Sequence, residues 1–166
     1  VPTISATGHS LVKARLRETG APFAGEMSGH LFFNDGRWPG FDDGLYAAAR
    51  LLEIVSRSDN PSAVLDALPT AVNTPELHIE FSKEGENKAF IEKLRQAAKF
   101  DDAEDVILID GLRVEFKDGF ALARSSNTTP VAVIRVEGDT PEALERIKER
   151  FAAFILSVDP TVKLPF

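Results

Sequence analysis

The chain has 166 residues, 43% of them hydrophobic, and 26 Asp and Glu against 19 Lys and Arg leave it a formal charge of −7. That balance argues against a nucleic-acid partner, whose phosphate backbone is met by a cationic surface, but a small phosphate ester needs only a local cluster of donors and one or two cations. With no cysteine, disulfides, thiolate nucleophiles and Cys-ligated zinc are excluded, in keeping with a reducing, cytoplasmic setting.

No apolar run approaches the roughly 20 residues that span a bilayer, so a membrane partner is not expected. The opening Val-Pro-Thr-Ile-Ser lacks the charged start and apolar stretch of an export signal. It also lacks Met and runs at once into Ala6-Thr7-Gly8-His9-Ser10, so the chain reads as a piece of something longer.

Ser10 is a plausible cap for a helix over residues 10–19, with Leu11, Val12 and Leu16 as its apolar side and Gly20 as its stop. Short strands over 21–25 and 31–33 flank a glycine-bearing loop, and Asn34-Asp35-Gly36 forms a turn. Asp42 or Asp43 can cap the next helix, whose Leu45, Ala48, Ala49, Leu52 and Val55 recur at helical spacing and should pack on a sheet. A turn at 58–61, a short helix over 62–67 and a Pro-rich connection at 69–75 follow, and that connection marks the expected domain boundary.

Beyond it, Leu77, Ile79 and Phe81 alternate as a half-buried strand, and residues 86–99 form a helix with Phe90, Ile91, Leu94 and Ala98 facing in. Strands over 106–109, 112–116 and 120–123 are separated by Asp110-Gly111 and Lys117-Asp118-Gly119, which are antiparallel turn signals. After a strand over 131–136, Thr140 caps a final helix with Pro141 in its first turn and Leu144, Ile147, Phe151 and Phe154 as its buried stripe. The second lobe is thus a mainly antiparallel sheet with two helices.

Two loops concentrate chemistry. In Gly25-Glu26-Met27-Ser28-Gly29-His30 an extended backbone would set Glu26, Ser28 and His30 on one side, a set suited to a polyol: a carboxylate accepts from adjacent hydroxyls, Ser donates or accepts, and His moves a proton near neutral pH. The competing reading is a polar hairpin loop that only caps its own backbone. In Arg124-Ser125-Ser126-Asn127-Thr128-Thr129-Pro130 a guanidinium fork precedes five donor side chains, enough to wrap a phosphate; an ordinary Ser/Thr/Asn turn is the alternative.

A third candidate, Thr7-Gly8-His9-Ser10, stands at a helix start, where free N–H groups favour an anion, unless Ser10 simply caps it. His78 reads as a solvated strand residue. Asp42-Asp43 and Asp101-Asp102 are local pairs without the further oxygen ligands of a magnesium or calcium site, so no metal ligand is assigned.

Taken together, TGHS (7–10), GEMSGH (25–30), FDDG (41–44) and RSSNTTP (124–130) resemble the α-D-phosphohexomutases of the phosphomannomutase/phosphoglucomutase kind, over nearly the whole chain. The resemblance implies the C-terminal part of an α/β domain, the family's third, over 1–68. It implies an α+β fourth domain over 69–166 with a mainly antiparallel, TBP-like sheet and two helices. Glu26 and Ser28 would then contact the sugar, with His9 bordering the same cleft; His30 would be a candidate general acid/base, and Arg124, Ser126, Asn127 and Thr128 would hold phosphate. Two letters depart from the family's usual pattern, Ala6 where Lys is expected and Ser125 where Ala is common.

By the same resemblance, the activity is reversible exchange between hexose 1-phosphate and hexose 6-phosphate through a phosphoserine and a bisphosphorylated intermediate. No segment resembles the family's serine loop TASHNP or magnesium loop DGDGDR, so nucleophile and Mg2+ are expected on N-terminal domains outside this chain, which become its partners along with the hexose phosphate. A non-catalytic phosphosugar-binding module and a purely structural domain are the competing readings.

Overall fold

The computed structural model describes residues 2–166. The chain divides into two compact units, Val1–Pro69 and Thr70–Phe166.

The first unit begins with α1 (His9–Thr19), which ends on left-handed Gly20 as its sequence predicts. Its N-cap is not Ser10 but Gly8, a cap residue with no side-chain oxygen of its own to offer. Strands β1 (Phe23–Gly25) and β2 (Leu31–Phe33) pair antiparallel, with Ala24 opposite Phe32. Phe32 is fully buried with Val12 and Leu16 of α1, so the helix closes one face of this hairpin, while Leu11 stays exposed.

Helix α2 (Gly44–Val55) starts where the Asp43 carboxylate accepts from the N–H groups of Leu45 and Tyr46. The face expected to be buried is the wrong one. Leu45 is 86% exposed and Leu52 65%. The helix instead meets the hairpin through Tyr46, 5.5 Å from the Phe33 ring and stacked at 4.3 Å on Trp38, and through Arg50, whose guanidinium lies 5.0 Å over Phe33. Aromatic surface and a cation–π contact select the packing face, because a two-stranded hairpin offers rings rather than a broad aliphatic floor. Arg50 also bonds Asp35 and holds its carboxyl below the usual Asp range. Helix α3 (Pro61–Asp66), capped by Asn60, completes the unit.

The second unit is a six-stranded sheet in the order β3-β8-β7-β6-β5, with β4 also on β8 and every pairing antiparallel. Its strands are β3 (Val72–Asn73), β4 (Leu77–Glu80), β5 (Asp105–Ile107), β6 (Leu112–Phe116), β7 (Gly119–Ser125) and β8 (Val131–Gly138). The Pro-rich connection therefore contains a strand that its composition hides. Between β3 and β4 the buried Thr74 donates its N–H to Val136 O and accepts from Val136 N–H with Oγ1. A hydroxyl thus carries the ladder across the break before Pro75, which has no N–H to give.

Helices α4 (Glu86–Ala97) and α5 (Pro141–Val158) pack on the sheet, and α5 is capped by Thr140. Phe90, Ile91 and Leu94 meet Leu144, Ile147, Phe151 and Phe154 in one core with Leu112, Val114, Ile134 and Val136. This mixed helix and antiparallel-sheet architecture is the fold class the strand and turn signals imply.

Candidate functional site

In the first unit the GEMSGH loop is a tight turn and not an extended run. Gly29 N–H donates to Glu26 O at 2.9 Å and Glu26 N–H to His30 O at 2.9 Å, closing the hairpin between β1 and β2. Strict alternation therefore does not order Glu26, Ser28 and His30. Met27 is 70% exposed at the tip, and Ser28 lies exposed beside it.

The turn brings Glu26 to the start of α1, where Oε1 accepts from Gly8 N–H at 2.6 Å. A carboxylate on an uncapped helix start is favoured by hydrogen bond and dipole together. The anion that TGHS is disposed to hold is, in this structure, Glu26 itself. Oε2 is shut off from solvent and has no partner among the described residues, so an outside hydroxyl reaches it only when the loop shifts.

The same contact gathers the histidines: the His9 and His30 rings lie 6.3 Å apart. His30 Nδ1 is 2.7 Å from Asp42 Oδ2, and the His30 side chain is 47% exposed. Adjacent carboxylates thus have separate tasks, Asp43 capping α2 and Asp42 holding the imidazole. His9, Glu26 and His30 come together, with Asp42 an addition that the pair's turn-like context hid.

In the second unit Arg124 and Ser125 end β7, and the loop to β8 turns on Ser126. Ser126 Oγ accepts from Thr128 N–H and Thr129 N–H, both at 3.3 Å, and from Thr129 Oγ1 at 2.9 Å; Thr128 Oγ1 is 3.4 Å away. Asn127 is exposed. Donors do converge, as a phosphate loop requires, and here they converge on a hydroxyl oxygen. Arg124 Nη1 lies 4.0 Å from Asp110 Oδ2, a carboxylate contributed by the β5–β6 turn.

Two residues to which the sequence assigned no part in this loop shape it. Asn87, 2% exposed in the first turn of α4, directs Nδ2 at the carbonyls of Ser126, Thr129 and Val131 at 3.1, 3.2 and 3.1 Å. An amide nitrogen has two hydrogens, so these three acceptors share them. The signal was present: Asn87 continues the inward stripe of Phe90, Ile91 and Leu94 toward the helix start at helical spacing, a polar letter at a core position. Gly111 is the other. It has φ +111°, and a Cβ there would run into Ala123 O and the Arg124 backbone, so the turn lies directly beneath the guanidinium's strand.

The exposed His78 side chain pairs with Glu76, and Asp102 is held by Arg150. Among the described residues no group of three or more His, Asp or Glu side chains is placed to hold a metal ion, so the residues present do not fit a magnesium site.

Residues 2–72 match the family model described as "Phosphoglucomutase/phosphomannomutase, alpha/beta/alpha domain III", and residues 80–154 the one described as "Phosphoglucomutase/phosphomannomutase, C-terminal domain". The phosphoglucomutase of Neisseria gonorrhoeae is 58% identical over 151 residues, covering 91% of this chain and 33% of the relative. The phosphomannomutase/phosphoglucomutase of Pseudomonas aeruginosa PAO1 is 47% identical over 166 residues, covering 99% of this chain and 35% of the relative. Among solved structures, a phosphoglucomutase/phosphomannomutase family protein from Burkholderia thailandensis superposes with a TM-score of 0.88 at 60% identity, over 96% of this chain and 33% of that one. The chain spans about a third of the length of the curated relatives it matches.

Proposed function

Because the chain belongs to the phosphoglucomutase/phosphomannomutase family, we propose that it serves as the C-terminal part of a phosphohexomutase, an isomerase interconverting hexose 1-phosphate and hexose 6-phosphate of mannose, glucose or both. Residues 1–68 supply the sugar-gripping part of the third domain and residues 69–166 the fourth, phosphate-gripping domain. The observation that carries this reading is the meeting of His9, Glu26 and His30 from two separate stretches of chain.

Glu26 and Ser28 read hydroxyls instead of one end of the ring, which suits a bisphosphorylated intermediate that must be gripped in either orientation. His9 borders the same surface. Glu26 exchanges Gly8 N–H for sugar hydroxyls when the loop shifts. Arg124, Asn127 and Thr128 hold the non-reacting phosphate, with Ser126 as the hub of the loop, so binding energy at that end positions the distant reacting oxygen. His30 moves the proton of the reacting hydroxyl, a role worth about 100-fold to 10,000-fold when the geometry is direct.

The phosphoserine and the Mg2+ that supports phosphoryl transfer belong to N-terminal domains of the same enzyme, outside this chain. A cytoplasmic location goes with this reading; no helix of the described residues is long and apolar enough to cross a membrane.

The test is a hexose phosphate titration of the complete enzyme. Arg124→Ala is expected to weaken binding about 10-fold to 100-fold, the range for a lost charged hydrogen bond, and Glu26→Ala to weaken it in the same direction. Unchanged affinity in both variants would overturn the assignment. The isolated chain, freed of any full-length mutase, is expected to show no turnover, and sustained isomerisation by it would refute the placing of the nucleophile elsewhere.

A further inference from the structure

We propose that Asp42 is a positioning residue that holds His30 in the tautomer with the proton on Nδ1, leaving Nε2 as the nitrogen that takes the proton of a sugar hydroxyl. The proposal deepens the mutase reading and rests on it for the identity of the substrate. Its basis is the 2.7 Å contact between His30 Nδ1 and Asp42 Oδ2. A carboxylate accepts hydrogen bonds and donates none, so the shared proton sits on the imidazole.

Both partners are fixed from behind. His30 leads directly into β2, whose Phe32 is fully buried. Asp42 pairs through its backbone with that same Phe32, and its neighbour Asp43 is committed to the N-terminus of α2. The Asp42 carboxylate is therefore held beside the ring from two directions. The other titratable groups near His30 are His9, at 6.3 Å between ring centroids, and Glu26, whose Oε1 is already engaged by Gly8 N–H. Neither competes for Nδ1, and Nε2 has no hydrogen-bond partner among the described residues.

The O–H bond of the reacting hydroxyl breaks, its oxygen keeps the electron pair for attack, and the proton bonds to Nε2. Asp42 stays ionised and stabilises the imidazolium that results, and in the reverse direction Nε2 returns the proton to oxygen.

The tautomer can be read on this chain itself by nitrogen-15 NMR of the imidazoles, with the His30 signals identified by their loss in His30→Gln. At mildly alkaline pH the wild-type chain is expected to show His30 with Nδ1 protonated and Nε2 bare. Asp42→Asn, which keeps the shape but turns an acceptor into an amide, is expected to shift the population toward protonated Nε2. In the complete enzyme the same variant is expected to lower kcat about 10-fold to 100-fold, a part of what a general acid/base contributes, with KM changed less than about threefold.

A wild-type His30 carrying its proton mainly on Nε2 would overturn the proposal, as would an unchanged kcat in Asp42→Asn. If Arg124→Ala and Glu26→Ala weaken hexose phosphate binding while Asp42→Asn leaves kcat untouched, the mutase reading survives and the positioning role falls. A complete enzyme inert toward hexose phosphates would instead sink the mutase reading, and the tautomer would still decide the role of Asp42.

Discussion

Phe151→Ala is expected to destabilise the second unit by about 3–5 kcal/mol, the range for removing a buried aromatic ring from a core that cannot fully collapse. Phe151 has no exposed surface, and its ring centroid lies 6.5 Å from that of Phe100 and 6.1 Å from that of Phe154. The ring sits where α5 closes on the sheet, so neighbours held by β6, β7 and β8 have little freedom to fill the hole. For a unit of roughly a hundred residues this corresponds to a fall of about 12 to 40 °C in the thermal midpoint. Far-UV circular dichroism is the right probe, since the single Trp and single Tyr, Trp38 and Tyr46, both lie in the first unit. A fall of only a few degrees would mean that the core repacks around the loss.

Asn87→Leu is the second large effect, and it acts on the loop between β7 and β8. Leu fills nearly the same volume but cannot donate, so the Ser126, Thr129 and Val131 carbonyls lose their shared partner on the buried side of the loop. Thr129 O and Val131 O keep backbone donors, the N–H groups of Val131 and Ser126, so the Ser126 carbonyl is the one left unmatched, at a cost of about 1–3 kcal/mol. Asn87→Asp should be worse, because a carboxylate would face three carbonyl oxygens and repel them. Amide exchange at residues 126–129 and 131 is expected to accelerate at least tenfold in both variants, and more in the Asp variant. On the proposed mutase reading, the hexose phosphate affinity of the complete enzyme is expected to fall as well. Exchange rates in the loop that match wild type would show that the turn around Ser126 holds itself.

Phe151 was legible as core, since it lies on a stripe with Leu144, Ile147 and Phe154 at helical spacing, and burial follows from that period alone. Asn87 was not. It lies on an equally clear stripe, but its worth depends on carbonyls 39 to 44 residues further along, brought beneath it by the return of β8. The aliphatic stripe of α2 misled for a related reason. Its period correctly announced a helix, while the face that packs was chosen by Phe33 and Trp38, rings on other elements.

The strands from β4 to β8 and both helices of the second unit, the hairpin turns, the Thr140 cap and the loops rich in donors were determined by the sequence itself. Their causes act within a few residues: side-chain period, backbone freedom at glycine, and side-chain oxygens reaching the next turn of backbone. Only the tertiary structure decided that Glu26 closes on Gly8, that Asp42 rather than Asp43 takes His30, and that Asn87 staples the Arg124 loop. Those contacts join residues 18, 12 and about 40 positions apart. Hydrogen bonds select partners by distance in space, and that distance is set by the packing of whole elements, which no local pattern encodes.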